Sequence, residues 1–173
     1  KKTRTVLDGK YNYSYSDGDQ TYQWSPDSKW FVAKYIDIGG WNNTDIVLVK
    51  ADGSGEMTNL TMSGYSDGNP KWVLDGKAMI WSSDRAGYRS HGSWGAEEDI
   101  YIMFFDGEAY DKFNMSKEEV ALEEFEKEEK ENKDEKDKKD EEKDKDKEKD
   151  KKKVEDLKFD LDNRSNRIKR LTI

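Results

Sequence analysis

The chain has 173 residues, of which 40% are Asp, Glu, Lys or Arg and 32% hydrophobic, with a formal charge of −8. That length suits one ordinary domain, and the acidic balance leaves no basic stretch to engage a nucleic-acid backbone. Cysteine is absent, which excludes disulfides and thiol chemistry, and no apolar run approaches the ~20 residues that a membrane-spanning helix needs.

The chain begins KKTRTVLDGK, with no Met and no signal-peptide pattern, and reads as cut from something longer. A repeat then dominates. Residues 15–30 run YSDGDQTYQWSPDSKW and residues 65–77 run YSDGNPKWVLDGK. Trp24, Asp27 and Lys29 match Trp72, Asp75 and Lys77 at an offset of 48, whereas Asp45 and Asp52 match Asp99 and Asp106 at 54. The second unit therefore carries a longer loop between its two landmarks. Asn59-Leu60-Thr61 closes the first unit and Asn114-Met115-Ser116 the second. Arg170-Leu171-Thr172 resembles a third closing phrase, and Thr3–Leu7 an earlier one.

Within each unit the elements read as β structure. Lys29–Ile36 and Thr44–Lys50 are β-branched and aromatic, and 51–55 supplies an Asp-Gly turn before Glu56–Thr61 returns. In the second unit Lys77–Ser82, Asp99–Phe105 and Ala109–Met115 repeat the plan. Ser25-Pro26-Asp27-Ser28 and Val73-Leu74-Asp75-Gly76 are the matching turns, with Pro or Gly supplying the geometry. The strands IVLV and IYIMFF do not alternate polar with apolar, so cover on both faces is expected. Meanders of about four short strands, repeated every ~45–55 residues and buried on both faces, describe β-propeller blades. The fold class expected is all-β, a propeller fragment with blades at about 15–61 and 65–116, Trp24 and Trp72 filling the space between blades. A β-sandwich of short hairpins is the bland alternative, weakened by landmarks that repeat in register.

The charge collects in residues 117–153, where 14 Lys and 18 Asp or Glu leave too few apolar side chains for a core. Ser116 and Glu119 form a capping-box pattern, so a helix is expected over about 117–132, its small apolar side formed by Val120, Leu122 and Phe125. Beyond it, Asp-rich sequence favours a solvated spacer, helical or disordered. Residues 154–173 are expected to begin the next propeller element.

WSPDSKWFVAKY followed by DIVLVKADGSGEMTNLT resembles the WD-like propeller repeat of the TolB and tricorn type. Ser28 stands where that repeat usually has Gly, and Val73-Leu74 where it has Ser-Pro. Trp81-Ser82-Ser83-Asp84-Arg85-Ala86-Gly87 resembles the Ser-Asp-Arg-x-Gly phrase of the same repeats. VEDLKFDLDNRSNRIKRLTI, after its charged insertion, resembles the corresponding segment of bacterial tricorn-like serine peptidases. The resemblance implies a non-catalytic propeller segment that scaffolds and gates peptide access to a downstream peptidase domain of the same protein. A stand-alone TolB-like protein-binding propeller of the bacterial envelope, and the propeller of a prolyl-oligopeptidase relative, are the alternatives. By the same analogy a periplasmic or envelope location is favoured over a cytoplasmic one, a homo-oligomer of the full-length protein stays open, and no cofactor is implied.

No catalytic residue is carried over. His91 is the only histidine and makes no triad alone. It sits in the extra length of the second unit, where Tyr88, Arg89, His91 and Trp94 form a candidate peptide-contact loop, set against a plain loop reading. Asp17-Gly18-Asp19 offers too few oxygen ligands for a calcium loop and reads as a turn, so no metal site is expected. The Asn-x-Ser/Thr triplets, Asn42-Asn43-Thr44 and Asn59-Leu60-Thr61 among them, carry no inference.

Overall fold

A computed structural model describes residues 3–12, 20–40, 43–88, 95–137 and 156–172. The chain divides into two units, 1–107 with 154–173, and 108–153. The first holds two four-stranded antiparallel sheets, each with its strands in chain order. The first sheet is β1 (Tyr22–Trp24), β2 (Trp30–Tyr35), β3 (Asp45–Lys50) and β4 (Met57–Asn59). The second is β5 (Asp67–Val73), β6 (Ala78–Ser83), β7 (Asp99–Phe104) and β8 (Ile168–Arg170).

The unbroken apolar runs are covered on both faces. In β3, Ile46 and Leu48 join one buried cluster while Val47 and Val49 join another. β3 and β7 lie in different sheets, and the sheets pack face to face. Val32, Ile46 and Leu48 of the first meet Met79, Trp81, Tyr101 and Met103 of the second in one buried cluster.

The sense of this stacking follows from the repeat. At the offsets of 48 and 54, Met79, Trp81, Tyr101 and Met103 match Phe31, Ala33, Val47 and Val49. These four are on the far face of the first sheet, under Val6, Leu7 and Tyr11. The front of the second sheet thus packs on the back of the first. Such stacking is heterologous: each sheet uses a different surface toward its neighbour, and nothing in the contact closes it after two.

The expectation for the second unit's closure is corrected. Residues 107–114 form helix α1 (Gly107–Asn114), not a strand over Ala109–Met115. The segment has no β-branched residue, carries Glu108 in its first turn and Lys112 in its last, and suits the helix dipole. The fourth strand is β8, so the second sheet spans 67–104 plus 168–170 rather than 65–116. The end of the chain completes this sheet instead of beginning the next element.

In the second unit, α2 runs Lys117–Asp137. Its capping box forms: Glu119 N–H donates to Ser116 Oγ at 3.2 Å, and Ser116 N–H to Glu119 Oε2 at 2.7 Å. Lys127 pairs with Glu123 one turn away. Leu122 and Phe125 are exposed. Among the described residues no helix is long and apolar enough to cross a membrane.

Candidate functional site: the loop-bearing rim

Antiparallel order puts the β2–β3 loop, the β4–β5 connection and the β6–β7 loop at one end of the stack. Both sheets are fastened there by the same device. In the first, Thr61 Oγ1 donates to Asp45 Oδ1 at 3.1 Å and accepts from Ile46 N–H at 3.1 Å, and Leu60 N–H reaches Ile46 O at 2.8 Å. In the second, Thr172 Oγ1 donates to Asp99 Oδ1 at 2.8 Å and accepts from Ile100 N–H at 2.9 Å, and Leu171 N–H reaches Ile100 O at 2.8 Å. The outer carboxylate oxygen is held by Asn59 Nδ2 at 2.8 Å in one case and the Arg170 guanidinium at 2.8 Å in the other. The Thr172 hydroxyl, then the Arg170 charge, hold the Asp99 carboxyl below its ordinary range against the opposing pull of desolvation.

Between the two clasps lies a buried hub. Asp67, at the start of β5, is 1% exposed. It accepts from Ser63 Oγ at 2.6 Å, from Trp81 Nε1 at 3.0 Å, and from the Arg85 guanidinium at 3.2 and 3.3 Å. Its backbone exchanges bonds with Thr44, N–H to carbonyl at 2.7 Å and Thr44 Oγ1 to the Asp67 carbonyl at 2.8 Å. Arg85 lies 4.8 Å from the Tyr101 ring centroid and 5.4 Å from that of Trp81, and its Nε donates to Ser83 Oγ at 3.0 Å. Losing water costs a buried ion pair several kcal/mol per ion, which only this density of bonds and ring contacts offsets. Nearby, Tyr35 gives its hydroxyl proton to Asp37 at 3.0 Å. Burial first, then that bond and the charges of Asp37, Asp45 and Tyr11, push its phenol well above the ordinary range, so it serves as a fixed donor.

Among the described residues, every buried side-chain nitrogen or oxygen has a partner. The hub is therefore a brace for the loops rising from it and offers no unspent base. The β6–β7 loop leaves the hub at Arg85, and its base is pinched shut. Glu97 N–H donates to Tyr88 O at 2.9 Å, and a side chain at Gly87 would meet Glu97 O at 1.8 Å.

Of the candidate peptide-contact residues, Tyr88 stands 75% exposed at this base. Arg89, His91 and Trp94 lie outside the described residues, as do the Asp17-Gly18-Asp19 turn and the first YSDG phrase. Among the described residues no group of three or more acidic, His or Cys side chains is placed to hold a metal. The hub and the clasps were not anticipated from the sequence. The signal for them was present, since Asp67 stands in the repeated Tyr-Ser-Asp-Gly and Thr61 and Thr172 both follow a Leu in a closing phrase.

No family model, curated protein or solved structure matches the chain.

Proposed function

We propose that the chain is part of the β-propeller of a tricorn-like serine peptidase, two neighbouring blades that scaffold and gate the approach of peptides to a peptidase domain elsewhere in the polypeptide. The observation that carries this reading is the front-to-back stacking of two repeat-equivalent meander sheets, each closed by the same Asp–Thr clasp. Heterologous stacking can be continued around a ring, which a two-sheet sandwich does not require. The Trp-Ser-Pro-Asp turn and the charged insertion add the tricorn-like resemblance. The rim loops, Tyr88 at their exposed base, would touch extended peptide while folded proteins are held off by size.

The test is hydrolysis by the whole polypeptide that the gene encodes. It is expected to cleave short fluorogenic peptides, to spare folded proteins, and to be labelled by a fluorophosphonate probe outside this chain. Tyr88→Ala in that polypeptide is expected to raise KM for peptides several-fold with kcat unchanged, as loss of uniform binding does. Hydrolysis by the 173-residue chain alone would overturn the reading. So would a whole polypeptide that binds a protein partner and neither cleaves peptide nor reacts with the probe, which is the TolB-like outcome.

A further inference from the structure

The stacking of the two sheets works as a template for a surface that, among the described residues, has no sheet against it. Trp72 lies on β5 opposite Met79, so it projects from the front of the second sheet. There it packs on Phe105 and Phe159, and its Nε1–H donates to Gln23 O on β1 of the first sheet at 3.1 Å. Trp24 is its match at an offset of 48. It lies on β1 opposite Phe31, on the front of the first sheet. Its ring meets Phe31 edge-on at 5.6 Å, with Tyr22 on the same Phe at 6.5 Å. Unlike Trp72, Trp24 is 54% exposed and Tyr22 56%. The same device is present twice, spent once and unspent once.

We infer that the exposed rings of Tyr22 and Trp24, which flank the buried Phe31 on the front of the first sheet, are a docking surface for the back of a further four-stranded sheet of this repeat type, supplied by the same polypeptide ahead of this chain. By the Trp72 template, the indole N–H of Trp24 donates to a carbonyl of that sheet's first strand, one residue before the position matching Trp24. The inference rests on the propeller part of the reading above and specifies how the next blade is received.

One observation favours a sheet of the same polypeptide over a second copy. The N-terminal segment already runs over this face: Val6, Leu7 and Tyr11 pack on the Phe31, Ala33 and Tyr35 cluster, and Ile36 N–H donates to Tyr11 O at 2.7 Å. Leu60 does the equivalent at the internal interface, where the closing phrase of the first unit sits in the cluster between the sheets.

The experiment compares Trp24 in the whole encoded polypeptide and in the 173-residue chain. In the whole polypeptide, Trp24→Ala is expected to lower Tm by about 5 °C and Trp24→Phe by roughly half as much, because the ring stays while the indole bond is lost. In the 173-residue chain both shifts are expected to stay under about 1 °C, as for exposed sites generally. Acrylamide quenching, taken as the difference between wild type and Trp24→Phe, gives a readout in the whole polypeptide that needs no folded fragment. A shielded Trp24 there is the expected result. An openly quenched Trp24, or equal Tm shifts in the two proteins, would overturn the inference. So would a dimer of the 173-residue chain that Trp24→Ala dissolves, because the occupant would then be a second copy. A shielded Trp24 in a polypeptide without peptidase activity would uphold the docking surface while removing the peptidase reading.

Discussion

The two sheets end in the same clasp but reach it by different routes. In the first, the clasping Thr follows its Asp by 16 residues; in the second the separation is 73. The difference, 73 − 16 = 57 residues, contains both helices and a strap that crosses from one sheet to the other. In the strap, Lys29 pairs with Asp156 at 2.5 Å, Leu157 N–H donates to Asp27 Oδ2 at 2.9 Å, and Arg164 donates to Leu60 O at 3.0 Å and Asn59 O at 2.8 Å. Asp160 N–H then reaches Phe105 O at 2.9 Å, and Arg167 ties back to Phe104 O at 3.1 Å. The comparison teaches that the strand-end chemistry is what the fold repeats. The length of chain between the ends is not, because each doubling of a flexible connection adds only about 0.6 kcal/mol of closure cost. The strap compensates the second sheet for its distant closure.

The largest effect in breaking this comparison should come from the strap's ring cluster. Phe159 lies 5.4 Å from Trp30, 6.0 Å from Trp72 and 5.2 Å from Phe105. Phe159→Ala removes a ring shared by both sheets and is expected to cost about 3 kcal/mol, the low end for Phe→Ala because the site is partly exposed. Urea unfolding would read it. A loss under about 1 kcal/mol would mean that the sheets hold each other without the strap.

Next come the clasps themselves. Thr61→Val and Thr172→Val keep shape while removing the hydroxyl that serves both a carboxylate and a strand N–H. Each is expected to cost about 2 kcal/mol. Native-state hydrogen exchange should then separate the sheets. With Thr172→Val the Leu171 amide is expected to exchange about tenfold faster or more, because β8 is held at its start by Arg167 but has no short turn joining it to β7. With Thr61→Val the Leu60 amide should change less, since a short turn still ties β4 to β3. Equal acceleration at the two positions would show that tether length does not matter here.

Acid should open the β8 clasp and the strap anchor at Asp27 more gently. The Asp99 carboxyl sits below its ordinary 3.8 through Thr172 and Arg170. Burial would raise that of Asp27, but bonds from Ser25, Leu157 and Lys29 and the Lys29 charge outweigh it, so it too is lowered. A carboxyl depressed on folding stabilises fully above its unfolded pKa and loses that contribution as pH falls through the folded one. Stability is therefore expected to decline below pH about 4, with β8 and the strap exchanging before the centres of the sheets. Asp99→Asn should flatten the decline at β8 and leave it at the strap. A decline at β8 unaltered by that substitution would remove Asp99 from the account.

The sequence carried the strands better than it carried their closure. Ile46–Val49 and Ile100–Phe104 were legible because a run without polar alternation demands cover on both faces. Trp72 was legible as a filler between sheets from its repeat position alone. The closing strand was misread because Asn114-Met115-Ser116 echoes Asn59-Leu60-Thr61 in side-chain type, and the true match, Arg170-Leu171-Thr172, replaces the Asn by Arg. Both Asn59 and Arg170 bond the outer carboxylate oxygen, an equivalence visible only once the Asp is in place. The hub was hidden for a related reason. Asp67 reads as a turn residue in Tyr-Ser-Asp-Gly, and its burial follows from Ser63, Trp81 and Arg85 converging on it.

The smallest effect is expected at the last position of the turn that the two copies share. Ser28 and Gly76 are equivalent at an offset of 48, and both have positive φ, 59° and 90°. Ser28 is exposed, and its turn bond, N–H to Ser25 O at 2.9 Å, uses the backbone alone. Ser28→Gly therefore relieves about 1 kcal/mol of left-handed strain and loses part of it to the greater freedom of the unfolded chain. The net expectation is a gain of about 0.5 kcal/mol, or a rise of one to two degrees in Tm. The reverse exchange at Gly76 is expected to cost more, since φ there is 90° and a side chain would push on the Leu157 methyls at 2.7 Å. Glycine is thus optional in the first turn and favoured in the second, where a Cβ would crowd the Leu157 side chain. A Ser28→Gly protein less stable than wild type by more than about 0.5 kcal/mol would show that the first turn depends on the serine side chain after all.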